Sequence, residues 1–456
     1  MTKESEPKGS LTRRDFLKFS GLAAAGAAAG GCAGAGTSAR ARGGASPGSA
    51  VLTRKAELPE AGGRRVVVVG GGWSGLTIAK YLRKNHSGLD VVLVERREIF
   101  MSCPISNLWL ADLVDLEFLT HSYVDAARNN GYLFFNAMVV DVDRDARRVF
   151  TNLGYVDYDY VILAPGIDYN YASIGVEDPE SIHALKTHYP AAFIPGSEHL
   201  SLKNKLADFE GGEFVLTVPS GNYRCLPGPY ERACMVASVL KREKIPGKVV
   251  LLDANPDITI KADGFHAAFD ELYKGYLDYR PSTRITGVDV AGRRVQTEFE
   301  EIPFRDAAIY PSIRASTLVE TLGLVNPQSL QMEADIDPFF YNIKGDERVY
   351  VAGDARPMPY SKSGNTANSE GKFVAHVVAS RADGKDPGEW RSPQTICYSM
   401  VNADPKEAIM VDAHYAYNRE KKAFGFHDVK LDQERNTAKG FATLEWARGL
   451  YRDMFS

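Results

Sequence analysis

The sequence predicts an α/β protein with two Rossmann-like dinucleotide-binding domains and a small α+β domain at its C-terminus. Three observations support this prediction. The stretch RRVVVVGGGWSGLTIAKYL is a β-branched run, then a glycine turn, then apolar residues at helical spacing. A second unit of this kind contains EFVLTVP, a helical pattern and KVVLLDAN. Two buried-strand patterns, YVILAPG and VYVAGDA, flank the second unit, which is therefore predicted to be an insertion.

These patterns divide the 456 residues into five predicted segments. They are a signal and flexible leader (1–62), the first part of the first nucleotide-binding domain (63–173), the inserted Rossmann-like domain (174–303), the second part of the first domain (304–380) and the C-terminal domain (381–456).

The N-terminus has the pattern of an export signal. Arg13 and Arg14 precede a weakly apolar stretch of Ala and Gly, which is typical of a twin-arginine signal. The stretch ends in AAAGGC, so Cys32 is a candidate for lipid attachment, and cleavage near residues 39–41 is the alternative. We therefore expect a periplasmic or otherwise exported protein, with a membrane tether if Cys32 is acylated.

Composition excludes several classes of function. The net charge of −4 argues against a nucleic-acid partner. No stretch approaches the roughly 20 apolar residues that span a bilayer. The five cysteines form no CxxC or CxxCH motif, so the sequence predicts neither a metal site nor a covalently bound haem.

The glycine turn after the first strand predicts a dinucleotide site. Gly70 permits the tight turn, Gly72 lets a pyrophosphate approach the backbone, and Gly75 lets the helix pack on the strand. The next strand ends in Glu95, whose carboxylate can accept hydrogen bonds from ribose hydroxyls. The phosphates would then lie at the helix N-terminus.

Two later stretches favour FAD over NAD at this site. YVILAPG ends in Pro165 and Gly166, a turn of the kind that closes an FAD domain. VYVAGDA places Asp354 where such folds bind the ribityl chain of the flavin. The predicted architecture is therefore glutathione-reductase-like, with FAD as the cofactor.

The inserted domain lacks a phosphate-binding loop. Its turn is SGNYRCLPGPYER, in which Pro227 and Pro229 remove N–H donors and bulky side chains block a close backbone approach. We expect that the fold persists in this domain and that NADH binding is lost. The electrons must then enter from another donor.

Several motifs together resemble the flavoprotein subunit of flavocytochrome c sulfide dehydrogenase. They are GGGWSG, MSCPISN, LAPG, RCLPGPYERA, GDA followed by SKSGNTANSEGK, and TICYS. The resemblance runs from about residue 63 to the C-terminus and implies a covalent bond between Cys103 and the flavin. It also implies that Cys225 is half of a redox-active disulfide and that Glu231 is a proton acceptor near the flavin. Taken alone, Glu231 can also be a first-turn acid that satisfies the helix dipole.

One departure from the family pattern affects the chemistry. The resemblance implies a second redox cysteine about twenty residues before GDA, where this chain has Met332 or a neighbour. Cys234 is a candidate replacement, although it lies further along the helix, and Cys397 is expected to be structural. The sequence therefore predicts that Cys225 acts as a single thiol. The following helix N-terminus and Arg224 are expected to favour a lowered pKa of this thiol, and Glu231 is expected to oppose that effect.

The resemblance implies an FAD-dependent enzyme that oxidises sulfide or a related reduced sulfur compound and passes electrons to a separate c-type cytochrome. A sulfide:quinone oxidoreductase is one alternative. A sulfur-binding or electron-transfer flavoprotein without full turnover is another, because the second redox cysteine is missing from its expected place. The amphipathic ending FATLEWARGLYRDMFS is predicted to pack on the core, with membrane contact as the alternative.

Overall fold

A computed structural model describes residues 53–456, so the predicted export signal and Cys32 lie outside the described residues. The first nucleotide-binding domain is built on a six-stranded sheet that is parallel except for one short edge strand. In spatial order its strands are Asn342–Ile343, Asp346–Val351, Tyr160–Leu163, Arg65–Val69, Asp90–Glu95 and Leu133–Asn136.

The central strand Arg65–Val69 is buried along its whole length. A run of valines suits this position, since a parallel sheet covered on both faces buries both sides of each strand. Helix Trp73–Asn85 follows the glycine turn and packs against helix Gly364–Ala382. The predicted first strand, turn and helix are therefore confirmed.

The second Rossmann-like unit contains a four-stranded parallel sheet. Its strands, in spatial order, are Leu277–Arg280, Gly247–Asp253, Gly212–Val218 and Asp306–Ala308. Helix Gly228–Glu243 connects the two middle strands and begins three residues after Cys225. The predicted strand–helix–strand order of the insertion is confirmed.

Smaller elements complete these two units. The remaining strands are Ile99–Met101, Thr120–Ser122, Val139–Asp143, Arg148–Thr151, Gly154–Asp157, Ile167–Asn170, Ile285–Asp289, Arg294–Thr297, Glu301–Pro303 and Ser312–Ala315. The remaining helices are Ser106–Leu110, Tyr123–Asn130, Pro179–His188, Ser197–Ala207, Ala262–Leu272 and Thr317–Thr321, with 3₁₀ turns at Leu116–Phe118, Tyr171–Ile174 and Gly353–Ala355.

The C-terminal region is an antiparallel three-stranded sheet followed by a long helix. The strands are Gln394–Asn402, Glu407–Asn418 and Ala423–Asn436, and the helix is Thr437–Phe455. Tyr451 of this helix is buried and its ring contacts Trp73. The helix therefore packs on the first domain, as predicted. Among residues 53–456, no helix has the length and apolarity needed to cross a membrane.

Candidate active site

A cavity of about 410 Å³ opens at the carboxyl ends of the six-stranded sheet and reaches the inserted domain. It contains every sequence-predicted site residue except Gly75, which lies behind the glycine turn. The lining residues that the sequence predicted are Gly70, Gly72, Glu95, Cys103, Pro165, Gly166, Cys225, Glu231 and Asp354. Within the described part of the chain, no group of three metal-ligating side chains accompanies them.

The glycine turn has the geometry that a pyrophosphate needs. Gly70 has a φ of 101°, and a Cβ there would lie 2.4 Å from the Ala164 carbonyl oxygen. A Cβ on Gly75 would lie 1.8 Å from the Gly70 oxygen, which explains the close packing of helix on strand. A Cβ on Gly72 would meet no atom within 4 Å, so the backbone there is open to the cavity.

An unpaired polar atom lies at the same turn. The Ser74 hydroxyl is buried in the first turn of helix Trp73–Asn85, lines the cavity and finds no hydrogen-bond partner among residues 53–456. Buried polar atoms are normally paired, so this hydroxyl indicates a ligand that supplies the missing partner. The N-cap Gly72 makes no side-chain cap, which leaves the helix N-terminus free for an anion. These residues fit the diphosphate of FAD.

Glu95 lies at the end of its strand, as predicted. One carboxylate oxygen accepts the Gly71 N–H at 2.7 Å and the other accepts the Arg97 N–H at 2.9 Å. A carboxylate has about four lone-pair sites. Glu95 is therefore held in place by the backbone and can still accept hydrogen bonds from a ribose.

Asp354 lines the cavity and has a partner that the sequence did not predict. Its carboxylate accepts a hydrogen bond from Arg224 Nε at 2.7 Å. Arg224 also donates to the Phe193 carbonyl at 3.1 Å. Asp354 therefore anchors the turn that carries Cys225, in addition to facing the predicted flavin site.

Cys103 is half-buried in the turn before helix Ser106–Leu110, where Ile105 adopts a φ of 73°. Burial raises the pKa of the Cys103 thiol, and the guanidinium groups of Arg224 and Arg232 oppose that effect. Two arginines therefore favour the thiolate at the one cysteine that the sequence assigns to the flavin.

Cys225 occupies a left-handed backbone conformation, with a φ of 60°. Its N–H donates to the Lys362 carbonyl at 2.8 Å, and its carbonyl accepts the Gly228 N–H at 2.7 Å. Gly228 is needed here because a Cβ would lie 2.8 Å from Cys225 Sγ. The expectation of a lowered thiol pKa is wrong: burial raises the pKa of Cys225 well above its usual value, and the charges of Cys397, Cys103 and Glu231 add to the effect.

Cys397 lines the same cavity as Cys225, and both cysteines are free in the structure. The sequence did not predict that Cys397 lies at this cavity. The structural role expected for Cys397 and the single-thiol role expected for Cys225 stay predictions. Met332 does not line the cavity. Cys234 is fully buried in the middle of helix Gly228–Glu243, away from the cavity lining, so it is a poor candidate partner.

Glu231 is buried in the first turn of helix Gly228–Glu243. Its two carboxylate oxygens accept from Asn107 Nδ2 and from the Met400 N–H, each at 2.8 Å. Burial raises the pKa of Glu231, while these hydrogen bonds and nearby cations oppose the shift. Two donors thus fix the position of the carboxylate, and burial increases its affinity for a proton.

Asn107 is a site residue that sequence analysis missed. Its amide donates to Glu231 and to the Gly228 carbonyl at 3.1 Å, and its oxygen accepts from Arg232 Nε at 3.0 Å. It therefore joins the Cys103 turn to the helix after Cys225. Its place in the motif MSCPISN was the available signal. Its partners lie more than a hundred residues away in the sequence, so no local pattern could predict them.

The edge of the inserted sheet that would bind a nicotinamide cofactor is filled by tyrosines. Asp253 ends its strand, where a Rossmann fold binds ribose. Its carboxylate already accepts the hydroxyls of Tyr230 at 2.7 Å and Tyr279 at 3.0 Å, and it is fully buried. Tyr223, also fully buried, extends this network to Thr259. These contacts support the prediction that the insertion no longer binds NADH.

Three protein-family models match successive parts of the chain. Residues 200–309 match the family described as sulfide dehydrogenase (flavocytochrome c) flavoprotein chain, central. Residues 392–455 match flavocytochrome c sulphide dehydrogenase, flavin-binding. Residues 64–194 match the pyridine nucleotide-disulphide oxidoreductase family.

Individual relatives agree with these matches. A sulfide dehydrogenase (flavocytochrome c) flavoprotein chain from Chlorobaculum thiosulfatiphilum is 54% identical over 46 residues, which is 10% of this chain and 96% of that sequence. A type II NADH:quinone oxidoreductase from Staphylococcus haemolyticus is 22% identical over 351 residues, or 71% of this chain and 83% of that one. The solved sulfide:quinone oxidoreductase from Aquifex aeolicus superposes with a TM-score of 0.68 at 17% identity, covering 86% of this chain and 91% of that chain.

Proposed function

We propose a specific function for this chain, which belongs to the flavoprotein-chain family of flavocytochrome c sulfide dehydrogenase and is an FAD-binding oxidoreductase of a sulfide-oxidising family. It is an exported sulfide dehydrogenase that passes electrons from sulfide, through a cysteine pair and FAD, to a c-type cytochrome. The observation that carries the proposal is the placement of Cys225 and Cys397 in the cavity whose glycine turn fits FAD.

The two cysteines provide the substrate chemistry. In the oxidised enzyme they form a disulfide, and hydrosulfide attacks one of its sulfurs. A new S–S bond forms, the Cys225–Cys397 bond breaks, and the products are a persulfide on one cysteine and a thiolate on the other. A second hydrosulfide then takes the outer sulfur of the persulfide and leaves as hydrodisulfide, so that both cysteines are thiols. FAD, when bound, would accept the two electrons that are released when these thiols form the disulfide again.

Glu231 handles the proton in this proposal. Hydrogen sulfide must lose a proton before it attacks, and a carboxylate whose pKa is raised by burial holds a proton more readily than an exposed one. The donors from Asn107 and Met400 keep the carboxylate oriented while its charge changes.

Cys103 is proposed as the covalent attachment point of FAD. It lines the cavity, is half-buried, and has two arginines that favour its thiolate against the effect of burial. A covalent bond would retain the cofactor in a protein that works outside the cytoplasm.

A cytochrome acceptor and export complete the proposal. The chain has no CxxCH motif, so a haem must be carried by a separate subunit. Tyr230 and Tyr279 already donate to Asp253 at the sheet edge where a nicotinamide cofactor would bind. This supports an electron route that does not involve NAD. The twin-arginine pattern at Arg13 and Arg14 supports export to the periplasm, and Cys32 remains the candidate for a lipid anchor.

Anaerobic titration tests the whole assignment. Purified protein is titrated with sulfide while flavin absorbance is followed, and a c-type cytochrome or a short-chain quinone is then added. We expect bleaching by sulfide and rapid reoxidation by the cytochrome. Reoxidation by the quinone alone would support a sulfide:quinone oxidoreductase, and the absence of bleaching would refute sulfide oxidation.

A further inference from the structure

Trp73 lines the cavity that fits FAD and carries an indole N–H without a partner. It is the first residue of helix Trp73–Asn85, directly after the glycine turn. Its Nε1 atom is buried and has no hydrogen-bond partner in the part of the chain that the structure describes. Because buried polar groups in proteins are nearly always paired, this N–H indicates a partner that the protein itself does not supply.

The indole ring is held in place by packing from three segments. Phe100 meets it edge-on, with 6.0 Å between the ring centroids, and Tyr451 of the C-terminal helix contacts it at 5.8 Å. Gly364 lies against the face of the ring, where a Cβ would be 2.8 Å from Trp73 Cδ2 and Cε2. None of these contacts gives the N–H an acceptor, so they fix the ring and leave its polar atom unpaired.

The unpaired atoms at this turn define what a ligand must offer. An indole N–H can only donate, and the neighbouring Ser74 hydroxyl, also buried and unpaired, can donate as well. Side chains of a helix lean towards its N-terminus, which for Trp73 is the glycine turn. The ligand must therefore present acceptor atoms beside a helix N-terminus, where negative charge is favoured. The diphosphate of FAD has this chemistry.

The C-terminal helix is anchored to the two helices whose N-termini line the cavity. Its Asp453 accepts a hydrogen bond from the Tyr81 hydroxyl at 2.8 Å and pairs with Lys372 at 2.8 Å. Tyr81 belongs to the helix that begins at Trp73, and Lys372 belongs to helix Gly364–Ala382. The helix that brings Tyr451 onto the indole ring is thus fixed to both sides of the cofactor site.

Docking of the C-terminal helix and pairing of the indole N–H are linked energetically. The docked helix covers one side of the Trp73 ring with Tyr451 and supplies no acceptor to Nε1. Burying an unpaired donor is unfavourable, so docking costs more in the apoprotein than in a protein whose ligand pairs the N–H. A coupling free energy is reciprocal, and the docked helix must then also strengthen ligand binding.

We propose that Trp73 donates its indole N–H to the diphosphate of FAD and thereby couples cofactor binding to docking of the C-terminal helix. This inference rests on FAD binding and is independent of the sulfide chemistry. Trp73 is a cofactor-binding residue in this assignment, and Tyr451 acts on the cofactor through it. The C-terminal helix docks more stably on the FAD-loaded protein than on the apoprotein.

The first test measures affinity and needs no sulfide. Cys103→Ala protein is prepared without flavin, so that FAD binds reversibly, and its Kd is measured from the quenching of FAD fluorescence. Trp73→Phe in this background keeps an aromatic ring and removes the N–H. It should weaken FAD binding about tenfold, the effect of losing one hydrogen bond to a charged group.

Tyr451→Phe is the matched control for this measurement. It removes a hydroxyl from the same ring cluster and keeps the ring that contacts Trp73, so the Kd should not change. An unchanged Kd in Trp73→Phe would overturn the proposal. If the Cys103→Ala protein itself does not bind FAD, the cofactor site on which the proposal rests is refuted instead.

Competition locates the acceptor on the cofactor. ADP carries a diphosphate without the flavin ring, so it should displace FAD in the fluorescence assay. Trp73→Phe should weaken its inhibition constant by the same factor as the Kd of FAD. An inhibition constant that the substitution leaves unchanged would place the N–H against the flavin end of the cofactor. That result, or a failure of ADP to displace FAD, would overturn the assignment to the diphosphate.

A spectroscopic measurement keeps the proposal testable if Trp73→Phe does not fold. The chain has four tryptophans, and heteronuclear NMR spectra of isotope-labelled Cys103→Ala protein resolve their indole N–H groups. Single replacements of the other three by phenylalanine assign the Trp73 signal by elimination. Its proton signal should move downfield on addition of ADP, since a hydrogen bond to phosphate deshields the proton. A signal that stays in place would contradict the contact.

Hydrogen exchange tests the coupling to the C-terminal helix. Backbone amides of Thr437–Phe455 should exchange more slowly in Cys103→Ala protein at saturating ADP than without ADP, and the slowing should be smaller in Trp73→Phe. Helix Ala262–Leu272 is the internal reference, because none of its residues lines the cavity. Equal slowing of the C-terminal helix in the two proteins, or none in either, would refute coupling through Trp73.

Discussion

Arg224 and Asp354 form an ion pair that joins the two nucleotide-binding domains, with 2.7 Å between Nε and the carboxylate oxygen. Arg224 immediately precedes Cys225, and Asp354 belongs to the 3₁₀ turn Gly353–Ala355 after the sheet strand. The two side chains are only 17% and 10% exposed. The pair therefore fixes the cysteine turn over the cavity that fits FAD.

Removing one partner of this pair should be destabilising. Arg224→Met leaves the Asp354 charge buried without its partner, which typically costs about 3–5 kcal/mol of unfolding free energy. Urea unfolding of the FAD-loaded protein measures the loss. The control is Arg294→Met, because the Arg294–Glu301 pair is more than half exposed and such pairs contribute at most about 1 kcal/mol. Equal losses in the two variants would contradict the structural role given to Arg224.

Cys103 should retain the flavin through a covalent bond. After acid precipitation, the wild-type pellet should be yellow, and Cys103→Ala should release FAD into the supernatant. Cys234→Ala is the control, since Cys234 lies in the buried part of helix Gly228–Glu243 and does not line the cavity. A colourless wild-type pellet would disprove covalent attachment.

Cys225 and Cys397 should store two electrons in addition to those of FAD. Reductive titration with dithionite should consume four electrons per flavin in the oxidised wild type and two in Cys225→Ser or Cys397→Ser. Both variants should also lose bleaching by sulfide. Cys234→Ser should behave as the wild type, and a wild type that takes up only two electrons would show that the cavity holds no disulfide.

NADH should reduce the flavin negligibly compared with sulfide. Asp253 is buried and already accepts two tyrosine hydroxyls, so a cofactor ribose would have to displace them. Stopped-flow bleaching with each donor measures the difference. Rapid stoichiometric bleaching by NADH is the outcome that would refute our interpretation of the inserted domain.

Export should depend on the arginine pair near the N-terminus. Replacing Arg13 and Arg14 with lysines should leave the protein in the cytoplasm, because twin-arginine export requires both arginines. Fractionation and immunoblotting measure the distribution. Cys32→Ala tests the anchor separately: a change of mature mass and loss of membrane association would support acylation, and an unchanged protein would exclude it.

The sequence predicted those parts of the fold that depend on local patterns. The glycine turn, the strand ending in Glu95 and the strand–helix–strand order of the insertion all follow from periodicity and turn chemistry over short spans. It also predicted that the final helix packs on the core, since the apolar residues of that helix are interrupted by charges.

The sequence failed where function depends on contacts between distant segments. Cys397 was expected to be structural, and the sequence did not predict that the C-terminal sheet brings it to the cavity that Cys225 also lines. The partners of Asp354 and Glu231 were missed for the same reason, because each lies more than a hundred residues away. The expected lowering of the Cys225 pKa was wrong. A helix N-terminus favours the thiolate, but the sequence pattern does not show how deeply the thiol is buried, and burial raises its pKa.

The hydrogen bonds of Asn107 restrict relative motion of the two nucleotide-binding domains. Its amide binds the Gly228 carbonyl, the Glu231 carboxylate and the Arg232 guanidinium, all in the first turns of one buried helix. A hinge rotation between the two nucleotide-binding domains would have to break these hydrogen bonds together, and each buried polar group left unpaired costs about 1–3 kcal/mol. Domain opening is therefore unfavourable, and a small substrate must diffuse into a site whose two domains are already held together.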